Sequence, residues 1–256
     1  MIAQFRQPAK VAVVPIQRLV RIKIGQIFPQ HRRTGKRETD DGFRRCLCGL
    51  QKVFEQPVYL DFHIAPPPYD AMNTQIKLRG KPHRLAVLDY GLFEVHAGPR
   101  TIGICGFVIE TDAGDVVLID TGFPAKYAED ADAATAQDAL GSFGRVLSVT
   151  PDNLPAAQLA KLGLTKNDIT LMIQSHTHID HVGDMAGYPQ APILISAAER
   201  ALPRPLYWSG KQAMEWPDRD YHLVHEDITI GDGFEVLHCP GHAPGQLAFM
   251  VQLPQT

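Results

Sequence analysis

No run in this sequence approaches the roughly 20 consecutive apolar residues that a membrane-crossing helix requires. The longest early apolar stretch, 11–16, is shorter than the apolar core of about 7–15 residues in a secretion signal. Neither a membrane span nor a signal is expected. Cysteine is scarce: Cys46, Cys48, Cys105 and Cys239 are the only four. Cys46 and Cys48 stand one residue apart, awkward for a disulfide and not the two-residue gap of a zinc knuckle. The plainer expectation is small thiols in a reducing compartment, hence the cytoplasm. Charge of neither sign is in excess, the formal net being −3, so no global field points to nucleic acid or a membrane surface. No internal repeat is visible. What is present is an ordinary globular composition, 45% hydrophobic and 21% charged, in a chain of 256 residues. That length suits one large domain, or one domain with an extension.

The charge is unevenly shared. Residues 1–71 hold 12 Lys and Arg against 6 Asp and Glu, whereas residues 72–256 hold 13 against 22. The asymmetry divides the chain into a basic extension, 1–71, and a patterned domain, 72–256. Clusters such as His31-Arg32-Arg33 interrupt the extension, and Pro66-Pro67-Pro68 closes it like a linker. The extension reads as weakly structured, with 11–28 able to form a strand or an amphipathic piece. The alternatives are a basic arm for an anionic partner, or sequence lying upstream of a true start at Met72.

Beyond Lys81 the pattern becomes regular. Residues 102–110 and 116–119 are β-rich runs with Asp112-Ala113-Gly114-Asp115 between them, a hairpin signal. The Ala-rich stretch 128–140 reads as a helix. A second, shorter helix is expected over 155–162, capped by Asp152 and Asn153 and ended by Gly163. Further strands are expected over 169–174, 193–196, 227–230, 234–238 and 247–253, with helix-forming Ala197 to Leu202 after the second of them. Strands mixed with helices in this order predict a layered α/β architecture.

The residues that carry chemistry follow the 169–174 run: Ser175-His176-Thr177-His178-Ile179-Asp180-His181. Three imidazoles and a carboxylate in six residues, in a loop at the end of a buried strand, are hard to explain as packing. His176 and His178, two apart, project to the same side of an extended segment and can grip one metal ion. Asp180 and His181, at the expected turn into a helix, can face a second. These donors suit zinc, and also iron or manganese. His242 lies in Pro240-Gly241-His242-Ala243-Pro244-Gly245, a tight loop able to aim a third imidazole inward. Three histidines on zinc would leave a fourth position for water, the arrangement of a catalytic site. His238 is expected to belong to its strand instead. Asp120, at the end of the 116–119 run, either caps the turn there or holds a ligand imidazole by its other ring nitrogen. The stretch 204–222 carries Tyr207, Trp208 and Trp216, which either line a pocket for an acyl chain or pack the loop onto the core.

These segments resemble the metallo-β-lactamase superfamily. The HisThrHisIleAspHis loop (176–181), the LeuIleAspThrGly strand end (118–122) and the ProGlyHisAlaProGly loop (240–245) carry the resemblance, which extends over roughly 84–254. It implies an αββα sandwich, a first zinc on His176, His178 and His242, and part of a second on Asp180 and His181. Within the superfamily the chain is most similar to N-acyl homoserine lactonases, on Val87-Leu88-Asp89-Tyr90-Gly91 and the 105–124 segment. That group has a later aspartate bridging two metals, a further histidine and an assisting tyrosine, none of which falls before Thr256. The resemblance therefore implies a sandwich incomplete at its C-terminus, with an exposed sheet edge.

The implied function is zinc-dependent hydrolysis of a small-molecule lactone or ester, with Asp180 orienting the attacking water. Two other readings stay open: a metal-binding chain without turnover, and iron-based redox chemistry on the same fold. A nucleic-acid substrate is not expected, because 72–256 is acidic. Oligomeric state is not legible.

Overall fold

The computed structural model describes residues 20–22, 76–208 and 210–254. Most of the 1–71 extension, the triple proline, Cys46 and Cys48 lie outside the described residues. Within them, a mixed α/β layering is built on two sheets. Strands β1 (Val20–Ile22), β2 (Pro82–Val95), β3 (Arg100–Thr111), β4 (Val116–Ile119), β5 (Gly144–Ser148), β6 (Leu171–Ile173), β7 (Ile193–Ser196), β8 (Tyr221–Val224), β9 (Ile228–Gly231), β10 (Phe234–His238) and β11 (Leu247–Val251) are joined by four short helices. These are α1 (Lys126–Glu129), α2 (Ala131–Asp138), α3 (Pro155–Lys161) and α4 (Ala197–Arg200). The larger sheet runs β5-β2-β3-β4-β6-β7-β8 and the smaller β1-β11-β10-β9.

The centre of the large sheet is buried on both faces. Val116 and Leu118, Met172, and Ile193 and Ile195 point to one side, where Tyr127 of α1, Ala134 of α2 and Leu159 of α3 pack. Val117 and Ile119, Leu171 and Ile173, and Leu194 point to the other, against Phe234, Val236, Leu247 and Phe249 of the small sheet. That alternation makes β4, β6 and β7 continuous apolar runs, as parallel strands covered on both faces must be. Each fully buried Leu or Ile contributes about 1.5–3 kcal/mol relative to exposure. Two apolar layers flanking one sheet therefore fix its position. The polar residues that follow β4, β6 and β7 then emerge together at the carboxyl ends of parallel strands, where such sheets place their sites.

Several expectations change. The 128–140 helix is two helices, because Asp130 is extended at φ −151° and caps α2 by accepting from the Ala133 N–H at 2.9 Å. The α3 N-cap is Leu154, with Pro155 in the first turn; Asn153 instead closes a capping box with Thr150 on the preceding 3-10 turn. The Asp180-His181 segment turns into the 3-10 helix Met185–Gly187 and not an α-helix. β2, β5 and β8 were not expected. β11 is paired antiparallel with β1, Val20 opposite Val251 and Ile22 opposite Phe249, so that β1 forms one edge of the small sheet. No helix among the described residues is long and apolar enough to cross a membrane.

Candidate metal centre

Three loops build the site. After β4 the chain bends sharply through Asp120, which is fully buried in the left-handed region at φ 61°, and Gly122, at φ 69°. A Cβ on Gly122 would meet the Tyr90 ring at 2.8 Å, so both its conformation and its contact call for glycine. Tyr90 reaches from β2 and donates its hydroxyl to the Asp120 carbonyl at 3.2 Å.

The Asp120 carboxylate organises the second loop. Its Oδ1 accepts from Gln174 Nε2 at 2.9 Å and from the Ser175 amide at 2.8 Å. Its Oδ2 accepts from the Ser175 hydroxyl at 2.6 Å and lies 2.8 Å from His181 Nδ1. Gln174 also donates to the carbonyls of His176 and His181, at 2.9 and 3.0 Å. The loop is thus pinned at both ends by one amide and one carboxylate. Gln174 was not singled out in the sequence and Ser175 only opens the quoted run, since a glutamine and a serine beside histidines carry no distinctive pattern.

The third loop, between β10 and β11, belongs to the other sheet. It is drawn in by the Leu247 amide donating to the Ser175 carbonyl at 2.8 Å and by the Gly245 amide donating to Glu199 Oε1 at 3.1 Å. His242 stands exposed at the rim, and His176 at the buried end. One nitrogen each from His176, His178 and His242 lie within 4.8 Å of one another. His178 Nδ1 and His242 Nε2 are 3.0 Å apart, and the His176 and His181 ring centroids 4.1 Å. Asp180 Oδ2 is 3.5 Å from His181 Nε2, so this pair adjoins the triad without joining it. His238 ends β10, its Nε2 3.4 Å from Ser196 Oγ.

Electrostatics separates the histidines. Burial and the neighbouring imidazoles push His176 well below the ordinary value, and burial followed by His242 pushes His178 down to about 3. Burial also lowers His242. All three are neutral at pH 7 and offer lone pairs. Burial acts against protonated His181 too, yet Asp180 and Asp120 outweigh it and raise that imidazole to about 9. The donors fit a divalent cation: neutral imidazoles converge, and the buried Nε2 of His176 has no hydrogen-bond partner.

The aromatic loop has other attachments. Tyr207 is buried at φ 57°, and its hydroxyl donates to Asp138 at 3.0 Å. The same buried carboxylate accepts from Tyr127 and Lys126, both at 2.8 Å. Tyr207 also donates its amide to the Thr177 carbonyl and accepts from the Ile179 amide, which braces the histidine loop from outside. Trp216 donates to the Leu202 carbonyl at 2.8 Å, and the Arg200 guanidinium lies over its ring. Trp208, half-buried, packs on Phe143 with centroids 4.6 Å apart.

An N-acyl homoserine lactonase from a Bacillus species is 27% identical over 157 residues, covering 57% of each chain. The lactonase AttM of Agrobacterium fabrum is 29% identical over 114 residues, covering 39% of this chain and 42% of its own. The chain thus spans 57% of the length of the Bacillus relative. Among solved structures, an N-acyl homoserine lactone hydrolase with the product N-hexanoyl-L-homoserine at its catalytic metal centre superposes with a TM-score of 0.59. It is 22% identical over 69% of this chain and 73% of that one, a likeness of fold. Residues 105–255, more than half the chain, match the profile of the metallo-beta-lactamase superfamily, and the protein belongs to that superfamily.

Proposed function

We propose that the protein is a zinc-dependent hydrolase that opens a lactone ring, with N-acyl homoserine lactones as its substrate class and the cytoplasm as its location. Water adds across the ester C–O bond and the open hydroxy acid leaves. One observation carries this reading: the three neutral imidazoles of His176, His178 and His242, one of them with a buried, unpartnered nitrogen. His176, His178 and His242 would hold one ion, and Asp180 and His181 part of a second, with the His181 Nε2 proton given up on binding. Zinc, or the iron or manganese that the same donors accept, would polarise the carbonyl and supply an activated water near neutral pH. Asp180 stands part-exposed beside the triad, where its carboxylate can orient that water. Asp120 holds the His181 ring by Nδ1 and leaves Nε2 facing Asp180. Tyr207 and Trp216 would support the wall of an acyl pocket, and Trp208 would offer its face to the chain. The Cys105 thiol fits a reducing compartment.

A metal-binding chain without turnover is the second reading. The observation that favours it is that the triad is the single such cluster found among the described residues, Asp180 and His181 standing outside it. One experiment separates the two. The chain is purified without chelator or added metal, its metal content is measured, and hydrolysis of N-hexanoyl homoserine lactone is followed. Bound zinc with turnover, both lost in His176→Ala, supports the hydrolase. Bound metal without turnover supports the second reading, and a folded chain that takes up no metal overturns both.

A further inference from the structure

Glu199 lies on α4, directly after β7, with no solvent exposure. Its Oε2 accepts from the Thr177 hydroxyl and, at 3.1 Å, from the Thr177 amide. Its Oε1 accepts from the Gly245 amide at 3.1 Å. Thr177 sits between His176 and His178, and Gly245 three residues after His242. One carboxylate therefore holds both histidine loops, which arrive from different sheets. Apolar packing between the two sheets is not directional. Three charge-assisted hydrogen bonds are directional, and they fix a separation.

The surroundings favour this arrangement. A Cβ on Gly245 would meet Ser196 Oγ at 2.5 Å and Glu199 Cγ at 2.8 Å, so the loop reaches the carboxylate only as glycine. The Thr177 hydroxyl, while donating to Glu199, accepts from the Leu206 amide at 3.0 Å, which extends the tie to the aromatic loop. We propose that Glu199 is a positioning residue that sets the distance between the His176–His178 loop and the His242 loop, so that the three imidazoles converge on one divalent cation. This rests on the metal reading given above.

The test uses the full chain with Co(II) as a visible probe and Zn(II) in competition with a chelator. Glu199→Gln leaves one acceptor oxygen and turns an NH2 group toward a backbone donor. Thr177→Val removes the hydroxyl, and Thr177→Ser keeps it. The Gln and Val variants are expected to bind Co(II) about 10- to 100-fold more weakly and to change its visible absorption spectrum, while the Ser variant stays near the parent. A residue serving stability alone would lower the unfolding midpoint of the metal-free chain and leave the Co(II) spectrum of folded protein unchanged. Folded Gln and Val variants with parental affinity and spectrum overturn the proposal while the metal reading stands. If the Gln variant does not fold, the Val variant decides. A parent chain that binds neither ion overturns the proposal and the metal reading together.

Discussion

Replacing Asp120 by asparagine tests the electrostatics of the centre in one step. Asp120 has no exposed surface, and each of its oxygens serves two partners. In asparagine, Oδ1 can keep Gln174 and the Ser175 amide, and the Ser175 hydroxyl can rotate to accept from the new NH2 group. His181 Nδ1 cannot remain a donor there. The imidazole must give up its Nδ1 proton and keep the one on Nε2, the nitrogen that faces Asp180. The effect on stability follows from linkage. His181 is raised from 6.5 to about 9 in the folded chain, so its stabilisation is complete below pH 6.5 and is lost as pH rises to about 9. A rise of that size corresponds to about 3 kcal/mol for this buried group. His176, His178 and His242 shift the other way, and their windows lie below pH 6.5. The expected result is a metal-free parent that loses about 3 kcal/mol between pH 6.5 and 9, and an Asp120→Asn variant with a flatter profile. The variant is also expected to be about 2 kcal/mol less stable at pH 6.5, from the lost charged hydrogen bond. Urea unfolding across this range measures both, and nitrogen NMR of His181 reads which ring nitrogens carry a proton. A variant whose profile runs parallel to the parent's, with Nδ1 still protonated, refutes the reasoning.

Two further outcomes follow from the same residues. His176 and His178 are held neutral, so below pH 6.5 the unfolded chain binds more protons than the folded one. The metal-free chain should therefore unfold at lower urea at pH 5 than at pH 7, and equal midpoints would remove the buried neutral pair from the account. Tyr207→Phe takes one of three donors from the buried Asp138 carboxylate and should cost about 1.5–3 kcal/mol in urea unfolding, whereas an unchanged midpoint would mean that this contact does not anchor the aromatic loop.

The chemistry-bearing segments were legible because their signals are local. Imidazoles and a carboxylate packed into 176–181 after an apolar run, an aspartate ending another apolar run, and a histidine between glycines and prolines stand out within a few residues each. The central strands were legible too, since burial on both faces leaves continuous apolar runs in β4, β6 and β7. Strand β2 was not. It carries Pro82, Asp89 and Gly91, residues depleted in strands, with register shifts at two of these places. Two neighbouring ladders, to β3 and to β5, hold it extended. Asp130 broke an expected helix because its side chain competes for backbone donors at a cap, an outcome that composition does not distinguish from a solvated acid in mid-helix.

Glu199 and Asp138 show the other limit. In sequence, Glu199 is an ordinary residue of a helix-forming run and Asp138 one acid among several in an Ala-rich stretch. Their partners lie 22 and 46 residues away for Glu199, and up to 69 for Asp138. Which donors the chain owns, and which short segments present them, can be read along the backbone, because residue spacing sets the side on which a side chain emerges. It took the folded arrangement to bring His178 and His242, 64 residues apart, to 3.0 Å from each other, and to leave one imidazole charged while three are neutral. Both depend on which sheets pack together and which carboxylates come with them, and burial and Coulomb energies act through space and not along the chain.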